Sequence, residues 1–326
     1  MGRIPLIRAS QAEPFLGALR CAGARTEPLL ESVGICPDLV EDDPEALAPE
    51  YSVWELVDRC AGVSGSEHFG WERGLDSPIG DLGAFGHRVD AAPTLGSALE
   101  LFLRDVSQHS SHARFSLVRR TKAVWFCRHG IEGIDVGAWQ IELYVLGVMV
   151  HVVRRALGAE WTPQALKLKT RPPRGSRLPA PFGDAKVDYG AGVTAIQLPS
   201  MALVQPLARS EPHPPLREPI EYGIAESVRL VLRHTLPTGV AAVDGTARLA
   251  GVTSRTLQRW LKQEGMTFED ILDEQRRDEA IRMLAVPSAR ITKIAARLGY
   301  ADPSNFTRAF RRWTGVAPSE YQAAQT

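Results

Sequence analysis

Four polar side chains between residues 255 and 262 recur at helical spacing and carry groups that can read a DNA base. Arg255, Gln258, Arg259 and Lys262 stand at i, i+3, i+4 and i+7, so they share one face of a helix. In the major groove, arginine pairs with guanine through two hydrogen bonds, and glutamine pairs with adenine in the same way. An ordinary solvated helix face would show the same stripe, and this segment alone does not separate the two interpretations.

A second cationic helix is predicted near the end of the chain. Phe306, Ala309, Phe310 and Trp313 repeat at i, i+3, i+4 and i+7 and predict its buried stripe. The polar side chains away from that stripe include no carboxylate; they are Ser304, Thr307, Arg308, Arg311 and Arg312. A generic solvated face more often mixes charges of both signs. The second helix therefore favours DNA reading as the function of both cationic helices. From residue 281 onward the chain contains seven Arg and Lys residues but only two acidic residues. This local excess of positive charge suits contact with phosphates.

The elements around the first cationic helix have the order of a helix-turn-helix unit. Asp244 is the predicted N-cap of a short helix that ends near Ala250, and Gly251 supplies the turn. Thr253 or Ser254 then caps the cationic helix. We include Ser254 among the predicted DNA-binding residues, because base contacts come from the beginning of such a second helix.

The second unit repeats this order. A short helix starting at Ile291 is closed by Gly299, Asp302 caps the next helix, and Pro303 suits its first turn. A helix predicted over residues 267–284 connects the two units, and its eighteen residues give roughly 27 Å at ~1.5 Å rise. Recognition helices in successive major grooves lie about 34 Å apart, so the connecting helix and its neighbours approach the required spacing.

The C-terminal region resembles the DNA-binding domain of the AraC/XylS family. The residues that carry the resemblance are SRTLQRWLKQEGMTF at 254–268 and ITKIAARLGYADPSNFTRAFRRWTGVAPSEY at 291–321. The resemblance implies transcription regulation at promoters, with double-stranded DNA as partner. It also implies base reading by Arg255, Gln258 and Arg259 in the first unit, and by Ser304, Thr307 and Arg308 in the second. Because Ser304 is short, Arg308 is expected to carry most of the second unit's base reading.

The N-terminal region resembles the effector-binding domain of one branch of that family, the branch of the arabinose-binding-like and OruR-type regulators. The cues are WTPQALKLKT at 161–170, the Phe182–Gly183 pair, and a late strand before LVQPL at 203–207. The family pattern usually has a histidine where Thr170 stands. The resemblance implies a small-molecule effector, but it does not carry over the ligand class.

The chain is predicted to hold an α+β domain followed by an all-α double helix-turn-helix domain. We expect an effector-binding and dimerisation domain at 1–205, a proline-rich linker at 206–218, and the DNA-binding domain at 219–326. The first helix of that last domain is predicted to open at Pro219 or Ile220. Helices are expected at 11–22, 51–63, 94–109 and 138–157, and strands at 113–119, 123–128, 165–170 and 194–198.

Aromatic residues of the N-terminal domain are candidates for lining an effector pocket, although core packing is the better explanation for each of them alone. They are Trp54, Phe85, Phe102, Trp125, Phe126, Trp139 and Tyr144. The helix at 138–157 carries an apolar band that suits either the core or a homodimer interface. RNA polymerase is a further expected partner, and a role in dimerisation only is the alternative to effector binding.

Enzyme and cofactor functions find little support in the sequence. No nucleophile elbow, phosphate-binding loop or dinucleotide fingerprint is present, so no catalytic site is expected. His87, His109 and His112 are the candidates for a metal-sensing or heme-type domain, but no thiol or carboxylate completes a ligand set at the usual spacing. We therefore expect no cofactor and no metal.

Charge, cysteine content and hydropathy place the protein in the cytoplasm. The chain has 326 residues with 38 basic and 38 acidic side chains, so it is not a general binder of polyanions. Its four cysteines show no paired spacing, which favours reduced thiols. No apolar run approaches the ~18 residues of a membrane span, and the first ten residues lack a secretory pattern.

Overall fold

The computed structural model describes residues 3–43, 46–82, 84–121, 123–130, 136–207, 219–238, 241–286 and 288–324. Most of the linker predicted at 206–218 therefore lies outside the described residues. The helices in chain order are α1 (Glu13–Cys21), α2 (Glu27–Ser32), α3 (Pro37–Asp42), α4 (Glu50–Ser64), α5 (Phe69–Asp76), α6 (Ala84–Asp90), α7 (Leu95–Asp105), α8 (Ala138–Leu157), α9 (Ile224–Thr235), α10 (Val243–Leu249), α11 (Ser254–Gln263), α12 (Phe268–Leu284), α13 (Ile291–Arg297), α14 (Pro303–Thr314) and α15 (Pro318–Ala323).

The strands in chain order are β1 (Leu6–Arg8), β2 (Leu47–Pro49), β3 (Arg114–Arg119), β4 (Ala123–His129), β5 (Ala165–Leu168), β6 (Lys186–Tyr189) and β7 (Thr194–Pro199). The chain forms two compact units. One contains residues 5–29 and 50–221; the other contains residues 1–4, 30–49 and 222–326. The N-terminal segment 30–49, with α3 and β2, thus belongs to the same unit as the helix-turn-helix region.

The larger unit is built on a five-stranded sheet with the order β3-β4-β7-β5-β6. Neighbouring strands are antiparallel except β5 and β6, which are parallel. Alternation along β4 turns Val124, Phe126 and Arg128 to one face, and all three are buried. Helices cover the sheet, which agrees with the predicted α+β class.

The long helix α8 forms part of the core of this unit. Leu146, Val148 and Met149 are buried, so the apolar band predicted on this helix is internal. Two glycines let α8 lie directly against α5. A Cβ on Gly74 would lie 2.1 Å from the Tyr144 carbonyl oxygen, and one on Gly147 would lie 2.7 Å from the Gly74 carbonyl carbon. Backbone therefore meets backbone at this crossing.

The smaller unit is helical apart from β2, among the residues that the structure describes. Leu257 and Leu261 of α11 are fully buried in it, together with Phe268 and Ile271 of α12. A second cluster contains Phe306 and Phe310 of α14 together with side chains of α12 and α13; its other members are Leu236, Ala280, Leu284, Ile294, Ala295 and Leu298. The all-α class predicted for the C-terminal region is therefore confirmed.

Several predicted boundaries need correction. The helix expected from Pro219 or Ile220 begins at Ile224, because its first amides are capped from elsewhere in the fold. The carboxylate of Glu264, just after α11, accepts hydrogen bonds from the amides of Ile224 and Ala225 at 3.0 and 3.1 Å. The helices predicted at 11–22 and 94–109 each overlap a 3₁₀ turn, at Ala9–Ala12 and Val106–Gln108.

Short elements account for most of what the sequence missed. Among them are α2, α3, α5 and α6, and the strands β1, β2 and β6. None of them exceeds eight residues, so none shows a full period pattern. Among the described residues, no helix combines the length and apolar character that crossing a membrane requires.

Candidate DNA-binding interface and effector cavity

The first helix-turn-helix unit consists of α10, a turn and α11. The predicted N-cap Asp244 is wrong: Ala242 holds that position, and Asp244 lies in the first turn of α10, where its carboxylate accepts a hydrogen bond from Ser254. Gly251 has a φ of 67°, the left-handed conformation that the turn was expected to need. Thr253 is the N-cap of α11 and accepts from the Thr256 amide.

The polar face of α11 is open to solvent. Arg255, Gln258, Arg259 and Lys262 are exposed, whereas Trp260 is half-buried on the side of Leu257 and Leu261. Ser254 is half-buried and is held by Asp244. Among the described residues, no carboxylate forms an ion pair with Arg255, Arg259 or Lys262. These three cations, which have no ion-pair partner among the described residues, lie on one face of α11 from its first turn to its last.

The second unit consists of α13, a turn and α14. Asp302 caps α14 by accepting from the Ser304 amide at 2.8 Å, and Pro303 occupies the first turn, as the sequence predicted. Hydrogen bonds from the backbone and the side chain of Ser304 lower the pKa of the Asp302 carboxyl, because they stabilise its charged form. Gly315 ends the helix with a φ of 84°.

The cations of α14 are exposed like those of α11, but they have partners within the chain. Arg308 donates to the side chain of Asn305, one turn earlier. Arg312 forms an ion pair with Asp273 of α12, and Arg311 lies 3.9 Å from Glu320 of α15. Ser304 is exposed and Thr307 is half-buried, with its hydroxyl donating to the Pro303 carbonyl at 3.0 Å. The two recognition helices therefore present their charges differently.

The connecting helix α12 is fixed at its start and along its length. Thr267 and Asp270 form a reciprocal capping box with hydrogen bonds of 3.1 Å each. Arg229 of α9 pairs with Glu274 at 3.0 Å. Arg276 donates to the Leu298 carbonyl at 3.0 Å and stacks on Tyr300. These contacts join α12 to α9 and to the turn of the second unit, so the spacer is held by both of its neighbours.

The larger unit contains a cavity with about 80 Å³ open to the centre of a water-sized molecule. It lies among α1, α4, α7 and α8 and the inward face of β3 and β4. Of the aromatic residues predicted to line a pocket, Trp54, Phe85, Phe102 and Tyr144 do so. Trp125, Phe126 and Trp139 are not among the lining residues. Phe126 is fully buried, so it follows the core-packing alternative, whereas Trp125 is half-buried and its ring lies under Lys167.

Polar residues of the cavity were largely missed at the sequence level. Gln11, Glu50, His109 and Arg128 all line it and all are buried. Gln11 donates to the Tyr144 hydroxyl and its amide oxygen meets His109. Burial, with a smaller contribution from Arg8, lowers the pKa of His109 to about 4, so its ring is neutral at pH 7. The available signal was the alternation Val124-Phe126-Arg128, which places an arginine on the inward face of a strand.

The histidines considered as metal or heme ligands have other contacts. His109 meets Gln11, and His112 lies 2.8 Å from the Ser111 hydroxyl. His129 is at the end of β4 and His151 is on α8. In the described part of the chain, no group of three or more His, Cys, Asp or Glu side chains is arranged to hold a metal ion.

Two helix-turn-helix units behind an α+β domain that encloses a cavity define a DNA-binding transcription regulator. Two family models match the chain: the arabinose-binding domain of AraC transcription regulators at residues 23–207, and a helix-turn-helix domain at residues 246–324. The chain belongs to the AraC family of transcription regulators. The matched families are regulators, not enzymes.

The chain is similar to regulators over nearly its whole length. The chain is 27% identical to the HTH-type transcriptional regulator VirS of Mycobacterium tuberculosis, covering 98% of this chain and 96% of the relative. It is 23% identical to the ornithine utilization regulator of Pseudomonas aeruginosa, covering 98% and 97%. Among solved structures, the transcriptional regulator CdpR of Pseudomonas aeruginosa is 22% identical, with a TM-score of 0.43 over 96% of this chain and 98% of that one.

Proposed function

We propose that the regulator reads its operator with two helices, α11 and α14, each placed in a major groove. The residues proposed to contact DNA are Ser254, Arg255, Gln258, Arg259, Lys262, Ser304, Thr307, Arg308, Arg311 and Arg312. The observation that carries the proposal is the exposed, unpaired cationic face of α11. Its N-terminal half meets the geometric requirement for base contacts in this class of motif.

The residues divide between base reading and phosphate binding. Arg255, Gln258 and Arg259 are proposed to contact base edges in one groove, and Arg308 in the other. Arg312 is proposed to contact phosphate, because Asp273 already occupies part of its guanidinium and fixes its direction. The DNA-binding domain is proposed to comprise residues 219–326, with the effector-binding domain at 1–205 and the linker at 206–218.

Effector control is proposed to act through the cavity of the larger unit. Its enclosure by four helices and a sheet, and its mixture of apolar walls with a few polar groups, are typical of small-molecule sites. We further propose that the protein works as a homodimer in the cytoplasm and contacts RNA polymerase at the promoters it controls. Sedimentation of the full chain, free and with operator DNA, tests the dimer.

An operator selected from a random DNA library tests the base-reading assignment. We expect the affinity of the full chain to fall steeply with salt, with a log–log slope of about −0.9 per phosphate neutralised. Arg259→Ala and Arg308→Ala should each cost ~1–3 kcal/mol on the selected site and relax the preference at one base position. Fluorescence anisotropy with single-base variants of the site measures both effects.

Two further variants separate the roles. Arg312→Ala should weaken binding to all sequences about equally and reduce the salt slope by about 1. Arg277→Ala is the matched control, because Arg277 pairs with Asp278 on α12, outside both recognition helices. Equal weakening on every sequence by Arg259→Ala and Arg308→Ala would mean that these side chains contact only phosphate.

A further inference from the structure

The cavity of the larger unit is mostly apolar and contains one cation. Of the twenty described residues that line it, fourteen are apolar, including Phe102, Phe115, Val148 and Met149. Arg128 is the one lining side chain, among those the structure describes, that is charged positive at neutral pH. An apolar enclosure around a single cation suggests a ligand that has an apolar body and one acidic group.

Arg128 is buried to a degree that normally requires a charged partner. It is 8% exposed, lies on the inward face of β4 opposite Phe115, and stacks over the Trp54 ring at 5.4 Å. No described residue forms an ion pair with its guanidinium. Stacking on tryptophan compensates part of the cost of desolvation, but it leaves the five N–H donors of the fork without a carboxylate.

The two acids that influence Arg128 are occupied elsewhere. Glu142 accepts from the amides of Lys169 and Thr170 at 2.6 and 2.7 Å, and from the hydroxyls of Thr170 and Thr194. Its four hydrogen bonds fill the capacity of a carboxylate. Glu142 therefore serves to join α8 to the sheet, and it stabilises Arg128 only through its field.

Glu50 lines the same cavity and is buried, with its carboxyl accepting from the Ser110 hydroxyl at 3.1 Å. Burial raises the pKa of Glu50, and the charge of Arg128 acts in the opposite direction as the next largest cause. The side chain of Trp54 also favours the charged form and so lowers the pKa of Glu50 slightly. The guanidinium and this carboxyl thus line the same cavity and form no ion pair with each other.

We propose that the cavity binds a small organic acid, whose carboxylate pairs with the Arg128 guanidinium and whose apolar body packs against Phe102, Phe115 and Met149. A planar fork of donors is the group best matched to a carboxylate, and the pairing is strongest where water is excluded. The proposal rests on the effector-binding function proposed above and narrows the class of effector.

The size of the cavity limits the acid. A site for one water needs roughly 10–15 Å³ on the same measure, so the cavity is several times larger than a water site. A monocarboxylate with a short aliphatic chain or one ring fits this range. The hydrogen-bonded pair Gln11 and His109 also lines the cavity, where it is proposed to contact a second polar atom on the ligand.

The test uses the full chain and a series of probes that differ only in the head group. Hexanoate and octanoate are compared with hexanamide and octanamide and with hexylamine, by isothermal titration calorimetry and thermal shift. We expect the Kd of each carboxylate to be at least tenfold lower than that of its amide, with no detectable binding of the amine. Equal Kd values for acid and amide in the wild-type chain would overturn the proposal without any variant.

Variants then assign the head group to Arg128. Arg128→Met keeps side-chain volume and removes the charge, so octanoate should lose at least tenfold in affinity while octanamide changes less than threefold. Arg119→Met on the neighbouring strand β3 is the control, because Arg119 is exposed. If Arg128→Met does not fold, Val148→Phe, which narrows the apolar part of the cavity, should weaken both probes together. Unchanged octanoate binding in Arg128→Met or in Val148→Phe would overturn the site.

Other outcomes separate the ligand class from the effector role. Tighter binding of α-amino acids than of the same acids without the amino group would overturn the organic-acid assignment. In that case Glu50 would bind the ammonium group of the ligand. If an uncharged metabolite binds and Val148→Phe removes that binding, the effector-binding role is supported and the assignment of a carboxylate ligand is wrong. If no probe or metabolite binds, and Val148→Phe leaves operator affinity unchanged, both the organic-acid proposal and the effector-binding role are wrong.

Discussion

The arginines of the two recognition helices show how neighbours set the function of one residue type. Arg255 and Arg259 of α11 are exposed without an ion-pair partner among the described residues, whereas Arg312 of α14 is fixed by Asp273. A free guanidinium can adapt to a base edge, and a fixed one is limited to a direction that the fold has chosen. Arg128 shows a third situation, because it is buried and forms no ion pair with any described residue. We propose that a ligand supplies the missing negative charge.

His234 in α9 is a buried residue whose protonation opposes folding. Its Nε2–H donates to the Leu47 carbonyl at 2.8 Å, and its Nδ1 is buried without a hydrogen-bond partner among the described residues. Burial lowers its pKa to about 4, while the Leu47 hydrogen bond raises it and Arg233 lowers it to smaller extents. The folded protein therefore holds this ring neutral at a pH where the unfolded chain binds a proton.

The sign of the pH dependence follows from that difference. Because the unfolded state binds more protons, His234 contributes its full stability above pH 6.5 and loses it as the pH falls toward 4. At pH 4.5 the free energy of unfolding should be lower by roughly 2–3 kcal/mol than it is above pH 6.5. Urea unfolding of the wild type and of His234→Gln, followed by circular dichroism from pH 7 to 4.5, measures it. We expect a flatter profile in the variant; parallel profiles would show that His234 does not carry the effect.

At the scale of elements, close approach and capping determine the fold more than helix propensity does. The α5–α8 crossing depends on Gly74 and Gly147, where a Cβ would enter the opposite backbone. The start of α9 depends on Glu264, which lies forty residues away in sequence from Ile224. Both features depend on contacts between distant parts of the chain, so local sequence patterns do not reveal them.

Two glycines in helices should respond in opposite directions to the same substitution. Gly147→Ala places a methyl 2.7 Å from the backbone of α5, and overpacking of this kind costs ~1–3 kcal/mol or more. Gly62→Ala, in α4, meets nothing within 4 Å and should stabilise by about 0.5–1 kcal/mol through helix propensity. Thermal unfolding of the full chain should show a lower Tm for the first variant and a higher Tm for the second. A neutral Gly147→Ala would contradict the backbone contact between α5 and α8.

Long periodic elements were predictable, and their reasons are local. The helix α8 was predicted with its observed bounds, and α11 and α14 differ little from expectation, because apolar stripes and capping residues mark them directly. Arg128 and Glu50 were not singled out. The alternation along β4 was a local signal for Arg128, whereas no local pattern marks Glu50 as buried. The assignment of segment 30–49 to the unit of the helix-turn-helix region was equally hidden. It depends on contacts such as that between Leu47 and His234.

For the whole molecule, we propose that each of the two units has a separate part in regulation. One encloses a cavity with a buried cation, and the other presents two recognition helices on either side of a fixed spacer. The spacer α12 has 17 residues, which is about 26 Å at 1.5 Å rise per residue. With the helices that pack on its ends, this length suits two grooves on one face of a duplex, which recur every ~34 Å.

The spacing of the two recognised positions tests the account most directly. Affinities of the wild type, Arg259→Ala and Arg308→Ala are measured against every single-base variant of the selected operator. The account predicts that each variant loses its preference at a different position, and that the two positions lie about 10 base pairs apart. Loss of preference at the same position, or at positions half a turn apart on opposite faces of the duplex, would contradict it.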